Sequence, residues 1–329
     1  MTISTPIRWG ILATGLIAHQ LAQALQDSPT AVITAVGSRT QASADKFADQ
    51  WDIPNRHASY EALAQDPDVD VIYIATPHSH HYDNMKLCLN AGKHVLCEKA
   101  FTLNAAQATE CIALARQKNL FLMDAIWTRF LPAIAQVRDW VAAGEIGDVR
   151  LIQADFCFHL PYDPAHRLYN PELGGGALLD LGIYPLSFTT MLLGFPARVQ
   201  SHAHLSPTGV DELDNMLLVY ENGATASLTC SMRLDRPREA FVVGTAGYIK
   251  VHQPFFYPTQ LTLAKHGRDP ETHTIPYQSN GYLHEVEEVH ACLQAGRTES
   301  DLMPLDETLN LMKFMDERRA EWGVRYPQE

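Results

Sequence analysis

Basic residues are in short supply in this chain: 25 Lys and Arg face 38 Asp and Glu, for a net charge of −13. An acidic surface repels nucleic-acid phosphates and anionic lipid, which excludes both as expected partners. Cysteine is scarce and unpatterned. The six, at positions 88, 97, 111, 157, 230 and 292, show no CxxC spacing and stand mostly in apolar surroundings, which predicts buried reduced thiols rather than disulfides. No apolar run is read as long enough to span a membrane, and the first strand follows a short polar tail without a secretory apolar region. The cytoplasm is the expected location. No metal set emerges either. His78, His80 and His81 cluster without a matching cysteine or carboxylate set, and His284 and His290 are six apart, on different faces of a helix.

What is present begins with IRWGILA at 7–13, a run of strand length, followed by TGLIAHQLAQAL, in which Ile17, Leu21, Ala24 and Leu25 recur at helical spacing. A strand, a tight turn and a helix result. The dinucleotide fingerprint G-x-G-x-x-G/A falls on Ala13, Gly15 and Ala18, with alanine in place of the first glycine. Gly15 permits close approach of a pyrophosphate, Ala18 permits close helix packing, and the helix N-terminus supplies amide donors. The next strand, AVITAVGS, ends without the acid that reads the ribose hydroxyl of NAD. Ser38, Arg39 and Thr40 stand there instead, a cation and hydroxyls suited to a 2′-phosphate, so NADP is expected in preference to NAD.

Strand and helix then alternate: DVIYIAT, a helix from His80 to Asn90, HVLCEKA, a helix from Ala105 to Asn119 with capping-box character at Asn104 and Gln107, and LFLMDAI. Such alternation predicts a parallel sheet with crossover helices. Thr76, Pro77, His78 and Lys99 fall at strand C-terminal ends, the edge where open α/β sheets bind ligands.

The pattern changes near residue 127. Strand-like runs at 148–158, 197–206, 214–221, 224–233, 239–251 and 260–265 lack helical crossovers and predict a large, mostly antiparallel sheet. Helices at 130–143, 176–193, 281–295 and 305–322 would cover one face, leaving the other for a partner subunit. The expected division is an α/β Rossmann domain over 1–126 and an α+β domain over 127–329. Within the second, GGGALLDLGIY sets Asp180 and Tyr184 four residues apart, one turn of a helix after a glycine bend. A carboxylate and a phenol on one face make a proton-handling pair, and an ammonium such as Lys99, after Glu98, would favour the phenolate. The same segment also reads as an ordinary amphipathic helix with a packed tyrosine. His159 and His166 flank the preceding loop, as pocket-lining or exposed side chains.

WGILATGLIA, AVGSRT, ATPHSHH, GKHVLCEKA, IWTRF and GGGALLDLGIY, in this order and spacing, resemble the glucose-fructose oxidoreductase, inositol dehydrogenase and rhizopine-catabolism (Gfo/Idh/MocA) family over essentially the whole chain. The resemblance implies a cofactor site of Gly10, Ala13, Thr14, Gly15, Leu16, Ile17, Ser38, Arg39, Thr40, Thr76, Pro77, His78, His81, Glu98 and Lys99. It implies Tyr184 as the proton-transfer residue, with Lys99 and Asp180 assisting, and a substrate cleft lined by Trp127, Arg129, His159, Arg167, Asp180 and Tyr184. The activity implied is hydride transfer between NADP and a cyclic sugar such as an aldose, a polyol or a trans-dihydrodiol, in a homodimer joined through the C-terminal sheet. The family proline after the lysine is Ala100 here, and alanine disfavours a cis bond, so a trans bond and a shifted Lys99 are expected. Two other readings stay open: a glycosidase or lyase that uses NAD for transient oxidation, and a weakly catalytic sensor of NADP and sugar.

Overall fold

A computed structural model describes residues 6–329. The chain forms two compact units, one comprising the stretch up to Trp127 with Gln278–Lys313, the other Thr128–Tyr277 with Phe314–Glu329.

The first unit alternates β1 (Ile7–Leu12), α1 (Leu16–Asp27), β2 (Ala31–Gly37), α2 (Gln41–Trp51), β3 (Asn55–His57), α3 (Tyr60–Ala64), β4 (Val71–Ile74), α4 (His81–Asn90), β5 (His94–Glu98), α5 (Ala105–Lys118) and β6 (Leu122–Ala125). Its six strands are all parallel, in the order β3-β2-β1-β4-β5-β6. The order reverses between β1 and β4, which opens a crevice at the strand C-termini. Local chemistry agrees with this geometry. Ala18, Leu21, Ala22, Ala24 and Leu25 form the buried face of α1. Thr40 caps α2 by accepting from Ser43 N–H, and Asn104 caps α5 by accepting from Gln107 N–H at 2.9 Å. Gln107 reaches back to Leu103 N–H, one residue beyond the standard capping box.

The second unit contains α6 (Pro132–Ala142), β7 (Val149–Cys157), α7 (Ile183–Leu193), β8 (Arg198–Leu205), β9 (Asp211–Val219), β10 (Thr225–Ser231), β11 (Ala240–Gly244), β12 (Gly247–Val251), β13 (Gln260–Lys265) and β14 (Glu271–Thr274). Eight strands run in the order β14-β13-β12-β11-β7-β10-β9-β8, antiparallel except for β7 beside β10. Helix α7 packs on β7 and β10. The run expected at 239–251 is a hairpin, β11 and β12, because Gly244 and Gly247 flank a tight turn.

Two helices follow, α8 (Leu283–Gln294) and α9 (Leu305–Trp322). The sequence pattern sets both over the second sheet. Instead α8 packs on α1, and the Trp9 indole of β1 donates to Nε2 of His290 at 3.0 Å. Burial lowers the His290 pKa to about 4, so the ring stays neutral and accepts that bond. A second correction concerns apolar length. Pro171–Leu193 is long and apolar enough to cross a membrane, yet 83% of its most apolar window is buried inside the protein, as in a core helix.

Candidate active site

The fingerprint turn shows how alanine fills a glycine position. Ala13 adopts φ +82°, the left-handed conformation for which glycine is normally chosen, so the tight turn survives the substitution. A Cβ at Gly15 would meet no protein atom within 4 Å, Leu16 is 89% exposed, and the first turn of α1 carries no acidic side chain. Open ground over a helix N-terminus fits a pyrophosphate. At the end of β2, Arg39 is exposed, Ser38 is buried with its N–H on His57 O, and the Thr40 hydroxyl is engaged with Ser43.

The ends of β4 and β5 are tied by one side chain. His81 is 0% exposed, and its Nδ1 and Nε2 lie 2.8 Å from the carbonyl oxygens of Ala100 and Thr76. Burial drives its pKa down to about 4. His81 therefore donates from its single N–H to one of these two carbonyls while packing between both strand ends, and its buried ring offers no surface to a cofactor, unlike the expected ligand role. Thr76 also accepts from Asn84 through its hydroxyl, and His78 is buried edge-on to His81, while Pro77 is exposed. The Lys99–Ala100 peptide bond is cis, against expectation, with the alanine methyl fully buried and its carbonyl on His81. Lys99 itself is half-buried at the end of β5.

Glu98 is likewise a support rather than an open ligand. It is buried, accepts the Tyr73 hydroxyl proton and takes Lys99 N–H at 3.2 Å. Beneath it stands Glu285 of α8, fully buried, with neither carboxylate oxygen hydrogen-bonded. Burial first, then the charges of Glu98 and Asp124, push its pKa well above the ordinary carboxylate value, favouring the neutral acid. Trp127 stacks on Tyr282, with centroids 4.3 Å apart and planes at 10°.

In the second unit, α7 is entered through a π-type turn over Leu178–Gly182, in which Ile183 N–H bonds to Leu178 O. The wider turn alters the expected geometry: Asp180 lies in the π turn and Tyr184 in the α-helix, so four residues no longer complete one turn between them. Arg167 grips Asp180 with a two-pronged fork of 3.0 and 3.2 Å. The Tyr184 ring is buried against Phe156 of β7 and Phe256, at 5.3 and 5.4 Å, and those two rings stack at 4.0 Å. Arg129 departs from the expected substrate role. It is buried, with Nε on Ser187 Oγ at 2.7 Å and Nη2 on Ser187 O at 3.0 Å, and it anchors α7. His159 is exposed, with its ring on Arg233 O.

Tyr73, Phe156, Phe256 and Glu285 escape motif reading. Only Glu285 leaves a trace, as an acid on the same helix face as Val289 and Cys292.

A parallel sheet with a dinucleotide turn, followed by an open sheet covered by a helix that bears a buried tyrosine and, in its entry turn, a forked aspartate, defines an NAD-type oxidoreductase of two units. Residues 7–125 match the oxidoreductase family with an NAD-binding Rossmann fold, and residues 134–250 match the GFO/IDH/MocA C-terminal domain. The chain belongs to the Gfo/Idh/MocA family. It is 39% identical over 332 residues to trans-1,2-dihydrobenzene-1,2-diol dehydrogenase of Mus musculus, covering 98% of this chain and 99% of that one. The Homo sapiens enzyme of the same name is also 39% identical, with the same coverage. Among solved structures, KijD10, a 3-ketoreductase from Actinomadura kijaniata in complex with NADP and TDP-benzene, superposes with a TM-score of 0.86 at 27% identity, over 96% of this chain and 98% of that one.

Proposed function

We propose that the protein is an NADP-dependent dehydrogenase acting on a CH–OH group of a cyclic sugar such as D-xylose, a polyol or a trans-dihydrodiol. The observation that carries this reading is a fingerprint turn left open over Gly15 in a chain that also seats a buried phenol, Tyr184, four residues after a forked aspartate. NADP, when bound, supplies the hydride acceptor or donor. Gly10, Ala13, Thr14, Gly15, Leu16 and Ile17 hold its pyrophosphate end, and Ser38, Arg39 and Thr40 its 2′-phosphate. Tyr184 takes the proton of the substrate hydroxyl at its Oη, or returns it, and Lys99 is assigned an assisting role. Asp180, with Arg167 fixing its orientation, accepts from a substrate hydroxyl.

Residues 1–126 are assigned to cofactor binding and 127–329 to substrate binding and dimerisation. The open second sheet supports a homodimer, and six buried, unpaired thiols support the cytoplasm. The test is absorbance of reduced nicotinamide with NADP and NAD in parallel over aldoses, inositols and dihydrodiols. NADP-dependent turnover is expected, and Tyr184→Phe is expected to lower it by about 10²- to 10⁴-fold with cofactor affinity kept. Cofactor that copurifies without net reduction would overturn the reading in favour of transient oxidation.

A further inference from the structure

Asp211 and Asp214 are three apart on β9, a spacing that normally places side chains on opposite faces of a strand. Here the pairing with β8 slips, His204 facing Leu213 and Leu205 facing Asp211, so Glu212 bulges out of the ladder. Both aspartates are consequently turned inward, each 0% exposed. They meet the π turn at its two ends. Asp211 Oδ2 accepts from Leu178 N–H at 2.5 Å, at the first residue of the turn. Asp214 Oδ2 accepts from Cys230 Sγ at 3.0 Å, and that sulfur lies 2.9 Å from where a Cβ would stand on Gly182, the last residue of the turn. Gly176, at φ +121°, has no room for a Cβ because Asp211 Oδ1 occupies the place. Tyr326 braces the same bend, donating its hydroxyl to Gly175 O at 2.6 Å.

One oxygen of each aspartate, Oδ1 in both, is buried with no donor from any other group among the described residues. Two adjacent carboxylates in that position would repel, whereas a single proton between them satisfies both oxygens. We propose that Asp211 and Asp214 share one proton at neutral pH and together form the seat of the π turn, positioning Asp180 and Tyr184. The groups facing the pair are Cys230 on β10, Cys157 on β7 beyond it, Tyr326 of the C-terminal segment, and Arg319 of α9, whose charge is already taken up by Asp316 and Glu329. Burial raises both aspartates, and the charge of Asp211 pushes Asp214 further up, in keeping with one proton held by the pair.

This inference rests on the reading of Tyr184 as the proton-transfer residue, and the experiment separates the two. Infrared difference spectra of wild type minus Asp214→Asn at pH 7 are expected to show the carbonyl stretch of a protonated carboxyl. Its absence overturns the shared proton. Asp214→Asn, which keeps a donor toward Asp211, is expected to hold kcat within about threefold, while Asp214→Ala loses about 10- to 100-fold in kcat with KM and cofactor affinity little changed. Equal loss in both variants, or none in either, also overturns it. Tyr184→Phe is measured alongside: full activity there refutes the catalytic reading, and the infrared band then decides the shared proton by itself.

Discussion

The two units seat their polar side chains on different elements, and buried acids serve each in a different way. In the first, Lys99 ends a strand whose ladder already satisfies the backbone, so the acids beneath have only to surround the strand end. Glu98 takes one backbone N–H, and Glu285 lies buried near it with its pKa pushed up. In the second, the element begins as a helix, and a helix start leaves N–H groups without partners. Asp211 meets that need directly at Leu178. A strand end is held by supplying a donor to a carbonyl, as the single N–H of His81 does, whereas a helix start is held by supplying an acceptor.

The largest effect that would sharpen this contrast is at Lys99. Lys99→Met is expected to lower kcat/KM by at least about 100-fold and to weaken NADP binding as well, whereas Tyr184→Phe spares binding. Steady-state rates together with calorimetric cofactor titration check it, and a Lys99→Met protein that binds NADP normally would erase the distinction between the two units.

An intermediate effect concerns Glu285. Its pKa lies well above the ordinary 4.5, so in the window above 4.5 the folded state binds a proton that the unfolded state releases. The stability linked to this group is therefore complete below that value and falls as pH rises toward the folded pKa, by up to about 1.4 kcal/mol per pH unit. Glu285→Gln lacks the slope. Denaturant unfolding at pH 5 and pH 8 is expected to show the variant gaining on wild type at the higher pH; parallel curves would mean that Glu285 is charged.

The smallest effect falls on the fingerprint turn. Ala13→Gly removes the cost of a positive φ and is expected to raise stability by up to about 1 kcal/mol. A lower melting temperature would show that the alanine methyl packs better than the backbone suffers.

Much of the first unit was legible because its signals are local: apolar strands, a cap at Asn104, and a turn at Gly15. The second unit was legible as strands but not as a site. Phe156 and Phe256 meet around Tyr184 through the pairing of β7, β11 and β12, which no short window reveals. The π turn shifts a register that a helical count assumes regular, and the bulge at Glu212 hides the fact that Asp211 and Asp214 share a face. The placement of α8 was missed for another reason. Its apolar stripe of Leu283, Val286 and Val289 suits any apolar partner equally, and polar contacts such as His290 on Trp9 record which one it has.

That return of the chain bears on how the first unit is completed. The first unit needs Glu285 under Glu98, Tyr282 against Trp127 and His290 against Trp9, all drawn from residues translated after the whole second sheet. The stretch before the second sheet thus supplies a parallel sheet whose covering helix, α8, comes from beyond the second sheet in the chain.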